Sequence, residues 1–111
     1  GGVTQIFVPQ VTEQLNQIRL NEAKQVEADL LIEICLGCHL AFCGKDQSYP
    51  FEIENIVTFV GRAMGIEHEN KFRKYKICSD LQCVKPEIED CLQGWGKSFE
   101  DVEGELAMFF G

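Results

Sequence analysis

The sequence predicts an all-α fold: one domain spanning residues 1–111, built as a disulfide-stapled bundle of four to five helices with an extended N-terminal arm over residues 1–10. Two observations carry this prediction. Apolar residues recur at steps of three and four along most of the chain, which is the spacing of amphipathic helices. The chain also has six cysteines in 111 residues, an even number that is typical of small disulfide-stabilised proteins.

The first helical pattern begins at Thr12, which is a candidate N-cap. It continues for about thirty residues at helical spacing and predicts one long helix that buries its apolar stripe. The stripe consists of Val11, Leu15, Ile18, Val26, Leu30, Ile34, Cys38 and Phe42.

Three further helical patterns follow. Residues 51–66 predict a central helix with Met64 in the core and Gly65 at its end, and residues 69–83 predict a short helix. After Pro86 a helical pattern extends to the end of the chain, and glycine and the Ser98-x-x-Asp101 sequence predict a break into two helices between residues 94 and 98.

The cysteines form two clusters, Cys35–Cys38–Cys43 and Cys78–Cys83–Cys91. If both clusters lie on antiparallel helices, their equal five-residue steps favour bridges from Cys43 to Cys78 and from Cys38 to Cys83. The pair Cys35–Cys91 then completes a nested set. All six cysteines are therefore predicted to be structural, in a protein that is secreted, extracellular or periplasmic.

Other chemistry fits parts of the same clusters. The sequence Cys35-x-x-Cys38-His39 matches the attachment signature of c-type haem, although the match covers five residues only. Zinc binding through Cys38, His39, Cys43 and the second cluster accounts for fewer of the cysteines, so no metal and no cofactor is predicted. A redox Cys-x-x-Cys in a thioredoxin-like setting requires a strand–helix–strand pattern, which the apolar spacing does not indicate.

The net charge of −8 excludes a nucleic-acid partner, which would require a basic surface. The charge is nevertheless uneven, because residues 71–76 form a basic segment while residues 87–105 are acidic. Either the two segments are solvated faces that attract each other weakly, or the basic segment is a surface for an acidic partner. The candidate partner-binding residues are Lys71, Phe72, Arg73, Lys74, Tyr75 and Lys76.

No catalytic set is apparent, because only two histidines are available and no serine lies in a nucleophile-elbow sequence. The chain is therefore predicted not to be an enzyme but a secreted binding protein, such as a ligand for a receptor, a toxin or an effector. The alternative is a carrier of a small hydrophobic molecule or lipid. Its candidate cavity residues are Phe51, Phe59, Trp95, Phe99 and Phe109.

The apolar arm and the apolar C-terminal segment are also predicted to support a homodimer, because large apolar side chains at both ends favour burial. No stretch of the sequence approaches the ~20 consecutive apolar residues of a transmembrane helix.

Overall fold

A computed structural model describes residues 2–78 and 80–110. Residues 1, 79 and 111, which belong to the predicted single domain, lie outside the described part. The chain packs as two compact units, one ending at Asn70 and the other beginning at Lys71, and each is described by itself.

The N-terminal segment is helical and not extended. Helix α1 spans Gly2–Phe7 and packs against the later helix α3, while α2 spans Pro9–Gln25. Pro9 occupies the first turn of α2, where its fixed φ suits a helix and its missing N–H needs no partner. The predicted arm over residues 1–10 is therefore wrong. Thr12 is not an N-cap either, because it lies within α2 and its hydroxyl donates to the carbonyl of Val8.

Helix α2 buries the opposite face from the one predicted. Its buried residues are Thr12, Asn16, Leu20 and Ala23. The predicted core residues Val11, Leu15 and Ile18 are all exposed. Apolar spacing identifies a helix face, but it does not show whether a neighbouring element covers that face. In α2 the covered face is a different one, which combines Thr12 and Asn16 with Leu20 and Ala23.

The long helix predicted from Thr12 onward stops at Gln25. The chain leaves it through a Schellman motif, in which the N–H of Glu27 donates to Lys24 and the N–H of Ala28 donates to Ala23. Glu27 adopts φ 53°, a left-handed conformation usually taken by glycine. Glycine is the usual residue at this position and marks a helix end in the sequence, but here the residue is glutamate. The end of α2 therefore could not be recognised from the sequence.

Two short strands replace parts of the predicted helices. Strand β1 spans Leu30–Glu33 and β2 spans Glu52–Asn55; they pair in parallel with Leu30 opposite Glu52 and Glu33 opposite Asn55. Helix α3, Leu36–Phe42, and a 3-10 turn over Lys45–Ser48 connect them. The all-α prediction is therefore wrong, because short apolar runs fit a buried strand as well as a helix.

The core of the first unit joins α2 to β2. Leu20 and Ala23 pack with Phe51 and Ile53, and the partly buried side chains around them include Ala28, Leu31, Phe42 and Tyr49. Burial of apolar surface here holds the strand pair against α2. The core therefore fixes the two strands, and with them the starting points of the segments that follow each strand.

Helix α4, Ile56–Ala63, begins directly after β2 with Asn55 as its N-cap, and the Asn55 side chain accepts from the N–H of Val57. The predicted end at Gly65 is confirmed: Gly65 has φ 80°, and the N–H of Ile66 donates back to the carbonyl of Gly61. Met64, predicted in the core, is exposed instead.

The second unit contains α5 (Lys71–Lys76), a 3-10 turn (Leu81–Cys83), α6 (Lys85–Gly94) and α7 (Glu103–Phe110). The helix predicted over residues 69–83 is thus much shorter. The predicted break after α6 is confirmed, with Gly96 at φ 67°. The backbone N–H of Ser98 donates to the Asp101 carboxylate, and the N–H of Asp101 donates to the Ser98 hydroxyl.

Among the described residues, no helix is long and apolar enough to cross a membrane.

Candidate functional site

The Cys-x-x-Cys sequence lies at the end of the sheet where both parallel strands finish. Cys35 follows β1 by two residues and is the N-cap of α3, and Cys38 lies one turn later in the same helix. Side chains at the carboxyl ends of parallel strands commonly form the functional sites of α/β folds. The strand–helix–strand setting that the sequence did not indicate is therefore present around these two cysteines.

The two thiols differ in accessibility and in acidity. Cys35 is exposed, whereas Cys38 is partly buried. The backbone N–H groups of Cys38 and Gly37 and the thiol of Cys38 donate hydrogen bonds that lower the pKa of Cys35 below its usual value. These donors stabilise the thiolate, which is the form of cysteine that reacts as a nucleophile.

The pKa of Cys38 is raised, first because the side chain is partly buried and then because it donates to Cys35. The negative charges of the Cys35 thiolate and of Glu33 act in the same direction. The site therefore combines an exposed, more acidic thiol with a partly buried, less acidic thiol beside it. This division of roles is what stepwise exchange with a disulfide requires.

His39 forms a polar triad with Glu33 and Asn70, in which the side chains of His39 and Glu33 are buried. His39 is 2% exposed, and its Nδ1 lies 2.8 Å from Oε2 of Glu33, the last residue of β1. Its Nε2 lies 2.9 Å from the side-chain nitrogen of Asn70. The hydrogen bond with Glu33 raises the pKa of His39 against the opposing effect of burial. Oε1 of Glu33 is buried and meets no hydrogen-bond donor in the described residues.

The triad bears on the haem hypothesis, because an axial ligand must offer a ring nitrogen to iron. Both ring nitrogens of His39 already face protein groups, Glu33 on one side and Asn70 on the other. Haem ligation by His39 would have to break one of these contacts. Within residues 2–78 and 80–110, no group of three or more histidine, cysteine or carboxylate side chains is arranged to hold a metal ion.

The predicted nested disulfides are not those of the structure. The sulfur atoms of Cys78 and Cys83 are in disulfide contact with each other, so neither is paired with Cys43 or Cys38. Cys35 and Cys91 are thiols. The expected ladder relied on two long antiparallel helices, and the first of these ends at Gln25, ahead of its cysteine cluster.

The predicted partner-binding segment forms α5. Lys71, Lys74 and Tyr75 all contact the carboxylate of Glu87 in α6, and Lys74 makes the shortest of these contacts. The hydrogen bonds from Lys74 and Tyr75 lower the pKa of Glu87 to about 2. Basic and acidic segments of the second unit therefore do attract each other. Whether residues 71–76 also bind a partner stays a prediction.

The predicted cavity residues do not share one environment. Phe51 is buried in the core of the first unit. Phe59 lies in the same unit and is half-buried. In the second unit Phe99 is buried, with Lys85 over its ring, but Trp95 is 79% exposed and Phe109 is exposed too. An enclosed apolar cavity would cover Trp95, so its exposure does not favour the carrier hypothesis.

Sequence reasoning missed Glu33 and Asn70 as members of the site. Glu33 lies within an apparently helical run, and Asn70 is 31 residues from His39 along the chain. One signal was available for Glu33, because an acidic residue just before a Cys-x-x-Cys in an apolar run is a candidate for burial. No comparable local signal marks Asn70.

Comparison of the chain with protein-family models, with curated proteins and with solved structures finds no match.

Proposed function

We propose that the first unit is a thiol–disulfide exchange centre, with Cys35 as the nucleophile and Cys38 as the resolving cysteine. The observation that carries the proposal is the pairing of an exposed, acidified Cys35 with a partly buried Cys38 at the start of the helix in a strand–helix–strand unit. A Cys-x-x-Cys in such a setting is the usual arrangement of a redox dithiol. The prediction of purely structural cysteines had relied on the absence of this setting.

The exchange proceeds in two steps. The Cys35 thiolate attacks one sulfur of a substrate disulfide, forming a mixed disulfide and releasing one substrate thiolate, which takes up the proton of Cys38. The Cys38 thiolate so formed attacks the Cys35 sulfur, so that the Cys35–Cys38 disulfide forms and the second substrate thiolate leaves. The substrate disulfide gains two electrons and the dithiol loses two. An external dithiol reduces the centre again by the reverse exchange.

The structure supports each role by a separate contact. Backbone donors at Gly37 and Cys38 stabilise the attacking thiolate without a cationic side chain. The position of Cys38 within hydrogen-bonding reach of Cys35 favours attack on the mixed disulfide over release of substrate. The His39 ring, in the same helix as Cys38, keeps the buried Glu33 carboxylate hydrogen-bonded.

The test is a redox titration of the whole chain. The protein is equilibrated with mixtures of oxidised and reduced dithiothreitol, its thiols are blocked by a maleimide, and the cysteines are mapped by mass spectrometry of a non-reduced digest. We expect a Cys35–Cys38 disulfide, two hydrogens lighter than the dithiol, to appear reversibly as the mixture becomes oxidising. A Cys91→Ser variant should behave alike, since Cys91 lies in the other unit. If both Cys35 and Cys38 remain alkylated under oxidising conditions, the proposal is wrong.

We also propose that the chain forms a homodimer, in which α2 of one copy contacts α2 of the other. The sequence-based prediction had instead placed this contact on the N-terminal arm and the C-terminal segment. Val8, Val11, Leu15 and Ile18 follow each other at steps of three, four and three, which is the spacing of a coiled-coil seam, and all are exposed. Helix α2 carries two acidic and two basic residues, Glu13, Glu22, Arg19 and Lys24, so its charge is zero in a chain of −8. A second copy that packs on α2 therefore meets no repulsion from a net charge on this helix.

Sedimentation equilibrium over a series of protein concentrations tests the dimer. We expect wild-type protein to dimerise and the Leu15→Glu/Ile18→Glu variant to be monomeric at the same concentrations, because charged side chains would be buried in the seam. The matched control is Gln10→Glu/Gln14→Glu, which adds the same charge to exposed polar positions of α2. A monomeric wild type, or equal loss of dimer in the control, would contradict the proposal.

Secretion, binding through residues 71–76 and the carriage of a hydrophobic molecule stay predictions. An exchange centre on the first unit is compatible with a binding role for the second.

A further inference from the structure

Large, solvent-exposed apolar side chains flank Cys35 in the sequence. Ile34 immediately before it is 85% exposed, and Leu36 immediately after it is exposed as well. Exposed apolar side chains that flank a reactive group are informative, because they add contact area for a substrate in the position where it must dock. Neither side chain is needed for the hydrogen bonds that lower the pKa of Cys35, which come from Cys38 and Gly37.

Helix α4 adds a second set of exposed apolar side chains at the same end of the sheet. Glu33 and Asn55 pair as the last residues of the two parallel strands, so the residues after each strand leave the sheet together, about 5 Å apart. The set begins there with Val57, which is 74% exposed. It continues at steps of three and four through Val60, on α4, to Met64, the C-cap residue that follows the helix.

We infer that the substrate of the exchange centre is a polypeptide disulfide with apolar residues beside its cysteines, and that Ile34, Leu36 and the Val57–Val60–Met64 face of α4 hold those residues. The inference rests on the proposed function, since Cys35 supplies the covalent step. The substrate must carry a disulfide because Cys35 reacts with one. It should carry apolar residues beside that disulfide because the exposed side chains near Cys35 are apolar. Small anionic disulfides do not suit this surface, because they bring no apolar area and the chain itself carries a charge of −8.

An extended polypeptide fits the arrangement because its side chains reach in both directions from the disulfide. Residues on one side of the attacked cysteine can contact Ile34 and Leu36, and residues on the other can continue along α4. Contact at several shallow points lowers the free energy of the encounter without a deep pocket. We expect the resulting rate advantage to be about tenfold, which corresponds to roughly 1.4 kcal/mol.

The experiment measures the rate at which the reduced chain reacts with three neutral disulfides. The first is the symmetrical disulfide of the peptide Gly-Leu-Val-Cys-Leu-Val-Gly with capped ends. The second is the matched peptide Gly-Ser-Asn-Cys-Ser-Asn-Gly, and the third is 2-hydroxyethyl disulfide. The wild type is compared with Val57→Ser/Met64→Ser and with the control Val26→Ser, which removes an equally exposed valine at the end of α2. Val57 contributes only its backbone N–H to the cap of α4, so serine preserves that bond.

We expect the apolar peptide to react about tenfold faster than the polar one, and we expect Val57→Ser/Met64→Ser to remove most of this difference. The same variant should react normally with 2-hydroxyethyl disulfide, and Val26→Ser should match the wild type throughout. Equal rates with the two peptides would overturn the inference alone, as would a variant that slows all three disulfides equally. If 2-hydroxyethyl disulfide does not react with the wild type, the proposed function fails and this inference fails with it.

Discussion

Replacing Cys35 by serine is expected to lower the rate of disulfide exchange by at least about a hundredfold, because a hydroxyl is not ionised at neutral pH and cannot replace the thiolate. Serine is a favoured N-cap residue, so the variant should keep α3 and the fold. The measurement is the second-order rate with 2-hydroxyethyl disulfide. Cys91→Ser serves as the control, since Cys91 is exposed on α6.

The companion variant Cys38→Ser distinguishes the two roles. It retains Cys35, so it should still attack a disulfide, but it lacks the resolving thiol and should accumulate a mixed disulfide with the substrate. Mass spectrometry of the unreduced product detects this adduct on Cys35. Loss of the first step in Cys38→Ser but not in Cys35→Ser would show that the assignment of the two cysteines is reversed.

The acidity of Cys35 provides an independent check. Its pKa is lowered by hydrogen bonds from the backbone of Cys38 and Gly37. The rate of alkylation of Cys35 by iodoacetamide should therefore rise through a midpoint below that of an exposed cysteine in a short, unstructured peptide. Cys38 should be alkylated with a higher midpoint, because burial and the neighbouring thiolate raise its pKa.

The second large effect is expected at the buried His39–Glu33 pair. His39→Leu should lower the free energy of unfolding by about 3–5 kcal/mol, because it leaves the Glu33 carboxylate buried without its ionic partner. The double variant Glu33→Gln/His39→Leu should recover much of this loss, since the unpaired charge is removed as well. Urea unfolding of the four members of the cycle measures the coupling. If the effects of the two substitutions on the free energy of unfolding are additive, His39 and Glu33 are not energetically coupled and the prediction is wrong.

The same pair predicts a dependence of stability on pH. The pKa of His39 is raised in the folded chain above its ordinary value of 6.5, first by the hydrogen bond with Glu33. The folded state therefore binds the proton more tightly than the unfolded state does. The stabilisation is fully present below about pH 6.5 and is lost as the pH rises through the raised pKa. In Glu33→Gln this loss should disappear, and an NMR titration of the His39 ring should give a lower pKa.

The polar groups around His39 must rearrange during that titration. A neutral ring can donate from Nδ1 to Glu33 and accept the Asn70 amide at Nε2. A protonated ring donates from both nitrogens, so Asn70 must then present its side-chain oxygen to Nε2. We therefore expect protonation of His39 to reorient the side-chain amide of Asn70.

Several elements could be predicted from local sequence. Gly65 ends α4 and Ser98 and Asp101 bond across the break after α6, because glycine and capping residues act through the backbone of their own segment. The strands could not be predicted in the same way. Leu30 and Ile34 continue a helical spacing, so the local sequence does not distinguish β1 from a helix. What identifies β1 as a strand is its pairing with β2, which lies after α3 in the chain.

The site shows the same division. The spacing of Cys35, Cys38 and His39 was evident from the sequence, and so were three possible chemistries for it. The proposal of disulfide exchange depends on contacts between distant segments. Glu33 and Asn70 occupy the two sides of His39 only because the β1–α3 turn and the chain after α4 bring them there.

The sequence by itself determined that the chain has a paired cysteine motif, a break near residue 96 and an acidic net charge, since these depend on residue type and spacing alone. The tertiary structure decided which face of α2 is buried and which of two chemically identical thiols is the acidic one. Burial and hydrogen bonding create that difference: Cys35 is exposed to backbone donors, whereas Cys38 is partly withdrawn from water.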